Sequence, residues 1–261
     1  MISLATWNVN SLRVRLPQVV DWLACHQPDL LAMQETKVID ADFPQAAFAE
    51  LGYQVVFSGQ KTYNGVAVAS RHPLDEVVTE LPSFDDPQRR VLAVTADTPD
   101  GPLRLINLYV PNGSEVGSDK YRYKLDWLDA LHPWLAAELA TRRELAVVGD
   151  FNIIPQPEDV HDPAAWEGRV LFTEPERSAF AGLLELGLCD TFRRFEQPPA
   201  SYSWWDYRAA AFRRNIGCRI DHILASPPLC ERLAGCAIDR EPRTLDRPSD
   251  HAPVVATFHA A

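Results

Sequence analysis

Five short segments place acids, amides or a histidine at the ends of apolar runs. They are Asn8 in TWNVN, Glu35 in LLAMQET, Asp150 and Asn152 in VVGDFNI, Asp221 in RIDHIL, and Asp250 with His251 in PSDHAPV. Each alone has an ordinary reading, because a strand-end Asp or Asn more often forms a turn or caps a helix than does chemistry. Five together are hard to assign to structure only, and their chemistry is coherent. Mg2+ takes hard oxygen ligands, usually one or two carboxylates with waters and phosphate oxygens. Glu35 is the best single ligand candidate, with Asn8 beside it and Asp250 near if the strands converge. Phosphodiester hydrolysis also needs a water held and deprotonated, which an Asp bracketed by amides can do; Asp150 and Asn152 fit that need. A His oriented by a carboxylate can hold a phosphoryl oxygen as charge builds on it, and Asp221 with His251 suits that pair. No Cys or Ser stands in a convincing nucleophile setting, so direct attack by water is expected over covalent catalysis.

The elements that end at these residues must bring them together. Ile2–Trp7 reads as a first strand. Leu16, Val19, Val20 and Leu23 recur at helical spacing, with Pro17 suited to a helix start and Pro28 closing the segment. Asp29–Met33 reads as a strand running into Gln34 and Glu35, and Tyr53–Phe57, Gly65–Ala69, Val91–Ala96 and Leu103–Tyr109 are further strands. Leu125, Leu128, Leu131, Leu135 and Leu139 form an apolar stripe that predicts a helix over 120–141. Leu145–Val148 is a buried strand entering Gly149 and Asp150. Phe180, Leu183, Leu184 and Leu186 suggest another helix, and Ile220–Ala225 and Val254–Phe258 are late strands. No linker-like or low-complexity stretch interrupts the pattern, so one α/β domain over 1–261 is expected. On a strand His222 points to the face opposite Asp221 and reads as structural.

Composition narrows the function. The 261 residues carry 25 Lys and Arg against 36 Asp and Glu, a formal net charge of −11. That argues against a simple nucleic-acid coat protein, which should be basic. It leaves open an enzyme whose clustered carboxylates hold a divalent cation that reverses the local sign. Positive charge gathers at Arg193, Arg194, Arg208, Arg213, Arg214 and Arg219, a cluster suited to phosphate. Arg213 and Arg214 fit sequence-independent phosphate contact. No apolar run approaches the roughly 20 residues of a membrane span, and no secretory signal is expected from MISLATWNVN. The five cysteines are scattered and free of CxxC spacing. Neither a disulfide framework nor a zinc ribbon is expected, and a reducing cytoplasm fits better.

TWNVNSLR, MQETK, NLYVPNG, VVGDFNI, SWWDYR, RIDHIL and PSDHAPV, in order along the chain, resemble the bacterial exonuclease III and abasic endonuclease family. That family belongs to the endonuclease/exonuclease/phosphatase superfamily, with a deoxyribonuclease I-like fold. The resemblance implies a four-layered α/β sandwich, two mixed β-sheets face to face with helices outside. It implies Glu35 as principal metal ligand, Asn8 and Asn10 in the same shell, and Asp250 at a second metal position. Asp150, helped by Asn152, orients and deprotonates water; Tyr109 contacts the scissile phosphate or leaving oxygen, with Asn112 beside it; Asp221 and His251 form the dyad on the phosphate. Trp204 and Ile220 match the wall of a pocket for a flipped-out abasic sugar, where Cys218 replaces the Trp of one branch and loosens that wall. Arg90 and Arg208 match positions facing DNA. Residues 157–175 resemble the family's variable loop over the site. The implied activity is Mg2+-dependent hydrolysis, with Mn2+ able to substitute, at abasic sites and 3′ ends of double-stranded DNA, by a monomer. The alternative is a superfamily phosphatase acting on a lipid or inositol phosphate, against which SWWDYR and the arginine cluster speak.

Overall fold

The computed structural model describes residues 1–142 and 144–261. Its strands are β1 (Ile2–Asn8), β2 (Leu30–Gln34), β3 (Gln54–Ser58), β4 (Val66–Ser70), β5 (Leu74–Val78), β6 (Val91–Thr98), β7 (Gly101–Tyr109), β8 (Leu145–Asp150), β9 (Cys189–Asp190), β10 (Trp204–Trp205), β11 (Gly217–Cys218), β12 (Asp221–Ala225), β13 (Leu233–Ile238) and β14 (Val254–Phe258). The helices are α1 (Leu12–His26), α2 (Gln45–Ala49), α3 (Asp119–Thr141), α4 (Pro163–Trp166), α5 (Glu174–Glu185), α6 (Ala211–Arg214) and α7 (Pro227–Glu231). One six-stranded sheet runs β13-β14-β1-β2-β4-β3 and the other β5-β6-β7-β8-β12-β9. Each is mixed, because β1 and β2 pair in parallel in the first and β7 and β8 do so in the second.

Side-chain alternation along the strands builds the layers. Leu4, Leu30, Ala32 and Val68 face inward from the first sheet and meet Val94, Leu105, Val148 and Ile223 of the second. On the outer face of the first sheet Ala5, Trp7, Leu31 and Met33 pack under Leu12, Val19 and Leu23 of α1. On the outer face of the second, Ala93, Ile106 and Val147 pack under Trp127, Leu131 and Leu135 of α3 and Phe180 of α5. The order helix–sheet–sheet–helix is the expected four-layered sandwich. Among the described residues no helix is long and apolar enough to cross a membrane.

Several boundaries differ from expectation for local reasons. Helix α1 begins five residues before Pro17, because the N–H groups of Ser11 and Leu12 are taken by the carbonyls of Glu35 and Thr36. Strand β5 lacks a sequence signature: it is an edge strand whose side chains are mostly exposed. The cysteine reading is corrected. Cys189 and Cys230, 41 residues apart, form a disulfide with Cα atoms 6.5 Å apart, while Cys25, Cys218 and Cys236 are free. Spacing along the chain could not reveal it. Strand β9 pairs with β12, whose end runs directly into α7, and that contact brings the two sulfurs together.

Candidate active site

Strand register assembles the site. In the second sheet Tyr109 pairs with Asp150 and Asp150 with Asp221, so three neighbouring strands present one row of functional groups. In-register neighbours project to the same face, here the face turned to the other sheet. There Leu4, Thr6 and Asn8 share the inner face of β1 by their spacing of two. Asn8 therefore meets Asp150 across the sandwich: its Nδ2 donates to Asp150 Oδ2 at 2.9 Å and to Glu35 Oε1 at 2.9 Å. In this orientation the Asn8 oxygen accepts from the Asn10 N–H at 3.0 Å.

His251 closes the row. Its Nδ1 donates to Asp221 at 2.9 and 3.1 Å, and its Nε2 lies 3.7 Å from Asp150 Oδ2. Ser249 fixes the segment, donating to the Asn8 carbonyl at 2.6 Å and accepting from the His251 N–H at 3.2 Å. On Asp150, Oδ1 accepts from the Asn152 N–H at 3.0 Å. The side chain of Asn152 donates to the Val110 carbonyl and accepts from Asn112 Nδ2, both at 3.0 Å.

The carboxylates differ in electrostatics. Burial pushes Asp150 up to about 7; Asp221 and Glu35 add to the rise while His251 and Asn8 oppose it. Burial would raise Glu35 too, but Lys37 and the Asn8 amide outweigh it and hold Glu35 below the usual carboxylate range. Burial would lower His251, yet Asp221, Asp150 and Asp250 reverse this and push it up to about 10. Burial, with Glu35 and Asp150 nearby, drives the Tyr109 hydroxyl well up, so it stays a proton donor.

Ligand atoms of Glu35, Asp150 and His251 all lie within 4.8 Å of one another. The donor chemistry fits a hard cation: two carboxylates offer oxygen, while a protonated His251 acts as a donor of hydrogen bonds. The Lys37 ammonium, 2.9 Å from Glu35 Oε2 and 2.6 Å from Asn10 Oδ1, shows that these oxygens attract positive charge. Asp250 stands outside the cluster, its two oxygens held by Asn10 Nδ2 at 2.9 Å and Trp204 Nε1 at 3.0 Å.

The DNA-facing candidates are spread more widely. Arg90 is buried, with its guanidinium 4.7 Å from the centre of the Tyr109 ring and donating to the Tyr109 carbonyl at 3.2 Å. With Tyr109 and Asn112 it lines a cleft of about 460 Å3 beside the row. Ile220 lies in an apolar cluster with Cys218, Phe172, Val170, Trp166 and Trp204, so part of 157–175 packs with Trp204 and Ile220. Arg208 points to solvent and pairs with Asp206 at 3.0 Å.

A model of the endonuclease/exonuclease/phosphatase family matches residues 5–251. The chain belongs to that family. It is 35% identical to exodeoxyribonuclease III of Haemophilus influenzae, with 97% of this chain and 98% of that protein covered. It is 32% identical to an exodeoxyribonuclease of Bacillus subtilis, at 97% and 98% coverage. Among solved structures, a 3′ phosphatase, NExo, from Neisseria bound to a product DNA hairpin superposes with a TM-score of 0.95 at 46% identity, covering 99% of each chain. An AP endonuclease from Archaeoglobus fulgidus gives 0.94 at 42% identity, again covering 99% of each. Within the family the chain is an enzyme of the exonuclease III and abasic endonuclease branch.

Groups not singled out by sequence surround the site. Gln34 Nε2 donates to Thr6 and to Asn107 Oδ1, at 2.9 and 2.7 Å, joining the two sheets directly behind Asn8. Lys124 is fully buried and donates to the carbonyls of Asn152 at 2.6 Å and Asn112 at 3.2 Å while pairing with Glu176. Lys37 was legible within MQETK as one of only four lysines. Lys124 lay hidden on the stripe of α3, where a lysine ordinarily reads as a solvated position. His222 is structural as expected: buried on the opposite face, it contacts Arg219 and the Ile153 carbonyl, and burial lowers it to about 4.

Proposed function

We propose that the protein is a Mg2+-dependent DNA repair nuclease that hydrolyses phosphodiesters at abasic sites and 3′ ends of duplex DNA by direct attack of water. The whole chain acts as one domain, as a monomer in the cytoplasm. The observation that carries this reading is the row Tyr109–Asp150–Asp221 facing Asn8 and Glu35, with His251 set between Asp221 and Asp150.

Asp150 takes the proton of the attacking water. Its raised pKa makes it a competent base near neutrality, and the Asn152 N–H and Asn8 amide hold its two oxygens in place. His251, kept charged by Asp221, donates toward the phosphoryl oxygen as negative charge accumulates. Tyr109, stacked under Arg90, keeps its proton and donates toward the phosphate or leaving oxygen. Glu35 would hold the metal with oxygens from Asn10 and Asn8, and Asp250 would serve a second metal position. Bound there, Mg2+ supplies charge neutralisation of the phosphate oxygens. Asn112, Trp204, Ile220 and Arg208 contact DNA around the scissile group.

Cleavage of three labelled duplexes tests the reading: an internal abasic site, a 3′-phosphate and a recessed 3′ end, each with and without Mg2+. Metal-dependent hydrolysis of at least one is expected. Turnover of an inositol phosphate with all three duplexes intact would refute it.

A further inference from the structure

The segment 246–251, which delivers Asp250 and His251, carries no helix or strand of its own. Its six consecutive carbonyls are nonetheless all taken by donors from elsewhere. Gln18 donates to Asp246 at 2.7 Å, Arg15 Nε to Arg247 at 3.1 Å, and an Arg15 guanidinium nitrogen to Pro248 at 3.0 Å. Arg243 donates to Ser249 at 2.6 Å, the Trp205 N–H to Asp250 at 3.1 Å and the Trp7 indole to His251 at 3.2 Å. The buried Ser249 and His251 need partners for their carbonyls, whereas the exposed Asp246 and Arg247 could leave theirs to water. Arg15 binds four. Besides Arg247 and Pro248 it donates to the Asn10 carbonyl and, at 3.1 Å, to the Tyr207 hydroxyl. Tyr207 in turn donates to the Pro248 carbonyl at 2.8 Å and accepts from Asn10 Nδ2 at 3.3 Å.

One guanidinium therefore ties three pieces of chain that meet only at the site: the exit of β1 through Asn10, the 204–208 segment through Tyr207, and the loop that ends in His251. The planar fork of arginine presents five N–H donors spread over three nitrogens in fixed directions, whereas an ammonium offers three donors from a single point and cannot span these four separated acceptors. We infer that Arg15 is a positioning residue for the reaction. It sets the Asp250–His251 segment against the β1 exit, and so fixes His251 against Asp150, without touching substrate. The inference rests on the hydrolytic reading above.

The test compares wild type, Arg15→Ala, Arg15→Lys and Tyr207→Phe in the full chain. Removing a hydrogen-bond partner that orients a functional group ordinarily costs about 10–100-fold in activity. A fall of that size is expected in single-turnover kcat for Arg15→Ala, with KM and DNA affinity unchanged. Millimolar guanidinium should restore part of it, since the half-buried site opens to solvent. Arg15→Lys, which keeps charge and stem, should recover little, and Arg15→Ala with Tyr207→Phe should be non-additive. In metal-free protein the downfield Nδ1 proton signal of His251 should broaden in Arg15→Ala, with the melting temperature nearly held. Wild-type kcat and an unchanged imidazole signal would overturn the inference, as would a change confined to DNA affinity. A loss that guanidinium leaves untouched and that tracks the unfolded fraction would overturn it too. Should wild type cleave no duplex, the hydrolytic reading fails, while the imidazole signal still reports on positioning.

Discussion

Asp150→Asn is expected to stop turnover and at the same time raise the melting temperature. Asp150 is held in a buried setting that lifts its pKa from 3.8 to about 7. A group whose folded pKa is raised contributes stability that is fully present below its unfolded pKa and lost as pH rises through the folded one. Here the loss runs between about pH 4 and 7, and the difference amounts to roughly 4 kcal/mol. Asparagine cannot ionise, so above pH 7 the variant escapes this term. It keeps an oxygen for the Asn152 N–H, but its amide nitrogen faces the Asn8 Nδ2 that Asp150 now accepts from at 2.9 Å. Turning Asn8 over and losing that bond offsets about 1–2 kcal/mol. The net gain is about 2 kcal/mol, or about 4–8 °C for a domain of this size.

The assay is a thermal melt in EDTA at pH 8 and pH 4, alongside single-turnover cleavage of an abasic duplex. The gain should be present at pH 8 and nearly absent at pH 4, where Asp150 is neutral in the folded wild type. Mg2+ should stabilise wild type more than the variant, because the cation relieves the same unfavourable charge. A melting temperature equal to or below wild type at pH 8, or an equal gain at both pH values, would refute the burial argument and with it the basis for calling Asp150 the base.

Three other perturbations separate the remaining groups. Asp221→Asn removes the largest of the influences that raise His251 to about 10, so in metal-free protein the imidazole, followed by NMR, should lose its proton at lower pH than in wild type and activity should fall off on the alkaline side. His251 stabilises the fold below about pH 6.5 and loses this as pH rises through 10, a dependence that should weaken in the variant. Glu35→Gln should be partly rescued by high Mg2+ or Mn2+ in single-turnover cleavage, whereas Asp150→Asn should not; the opposite pattern would exchange their roles. Lys124→Met strands Glu176 in the interior and should cost about 3–5 kcal/mol in urea denaturation, with Glu176→Leu in the same chain recovering most of it; no recovery would shift the weight to the Asn152 and Asn112 carbonyls.

Much of this site was legible because strand ends announce it. TWN, VVGDFN and RIDHIL each carry an apolar run into a polar residue, and period-two alternation then puts Asn8, Asp150 and Asp221 on the inner face. What the chain could not disclose is register. That Tyr109, Asp150 and Asp221 stand in one row depends on how β7, β8 and β12 slide against one another. The same holds for groups that act through space: Lys124 reads as an exposed helix residue until α5 delivers Glu176 beside it. The Cys189–Cys230 bridge, the edge strand β5 and the Asn8 amide turned toward two carboxylates belong to this class.

Backbone strain explains why some site residues resist prediction even with the motifs in hand. Asn10, Glu35, Lys37 and Asn152 all have positive φ, at 43°, 50°, 54° and 49°. Asparagine visits this region readily, but a longer side chain loses roughly 1–2 kcal/mol there. Local preference therefore argues against the conformations that Glu35 and Lys37 adopt. They are imposed by the turn after β2, where the Glu35 carbonyl accepts from the Ser11 N–H at 2.7 Å, the Thr36 N–H donates to Gly65 at 3.1 Å and the Lys37 N–H to Asn64 at 2.9 Å. Those bonds swing the Glu35 carboxylate toward Asn8 and the Lys37 ammonium back over Asn10. Strained backbone and a buried carboxylate with a raised pKa are thus gathered at one edge of the sandwich. Each opposes folding locally and is offset by the apolar cores between the four layers. This is the pattern expected where a fold supports chemistry rather than its own stability, and it is why Asp150→Asn should yield a more stable and inactive protein.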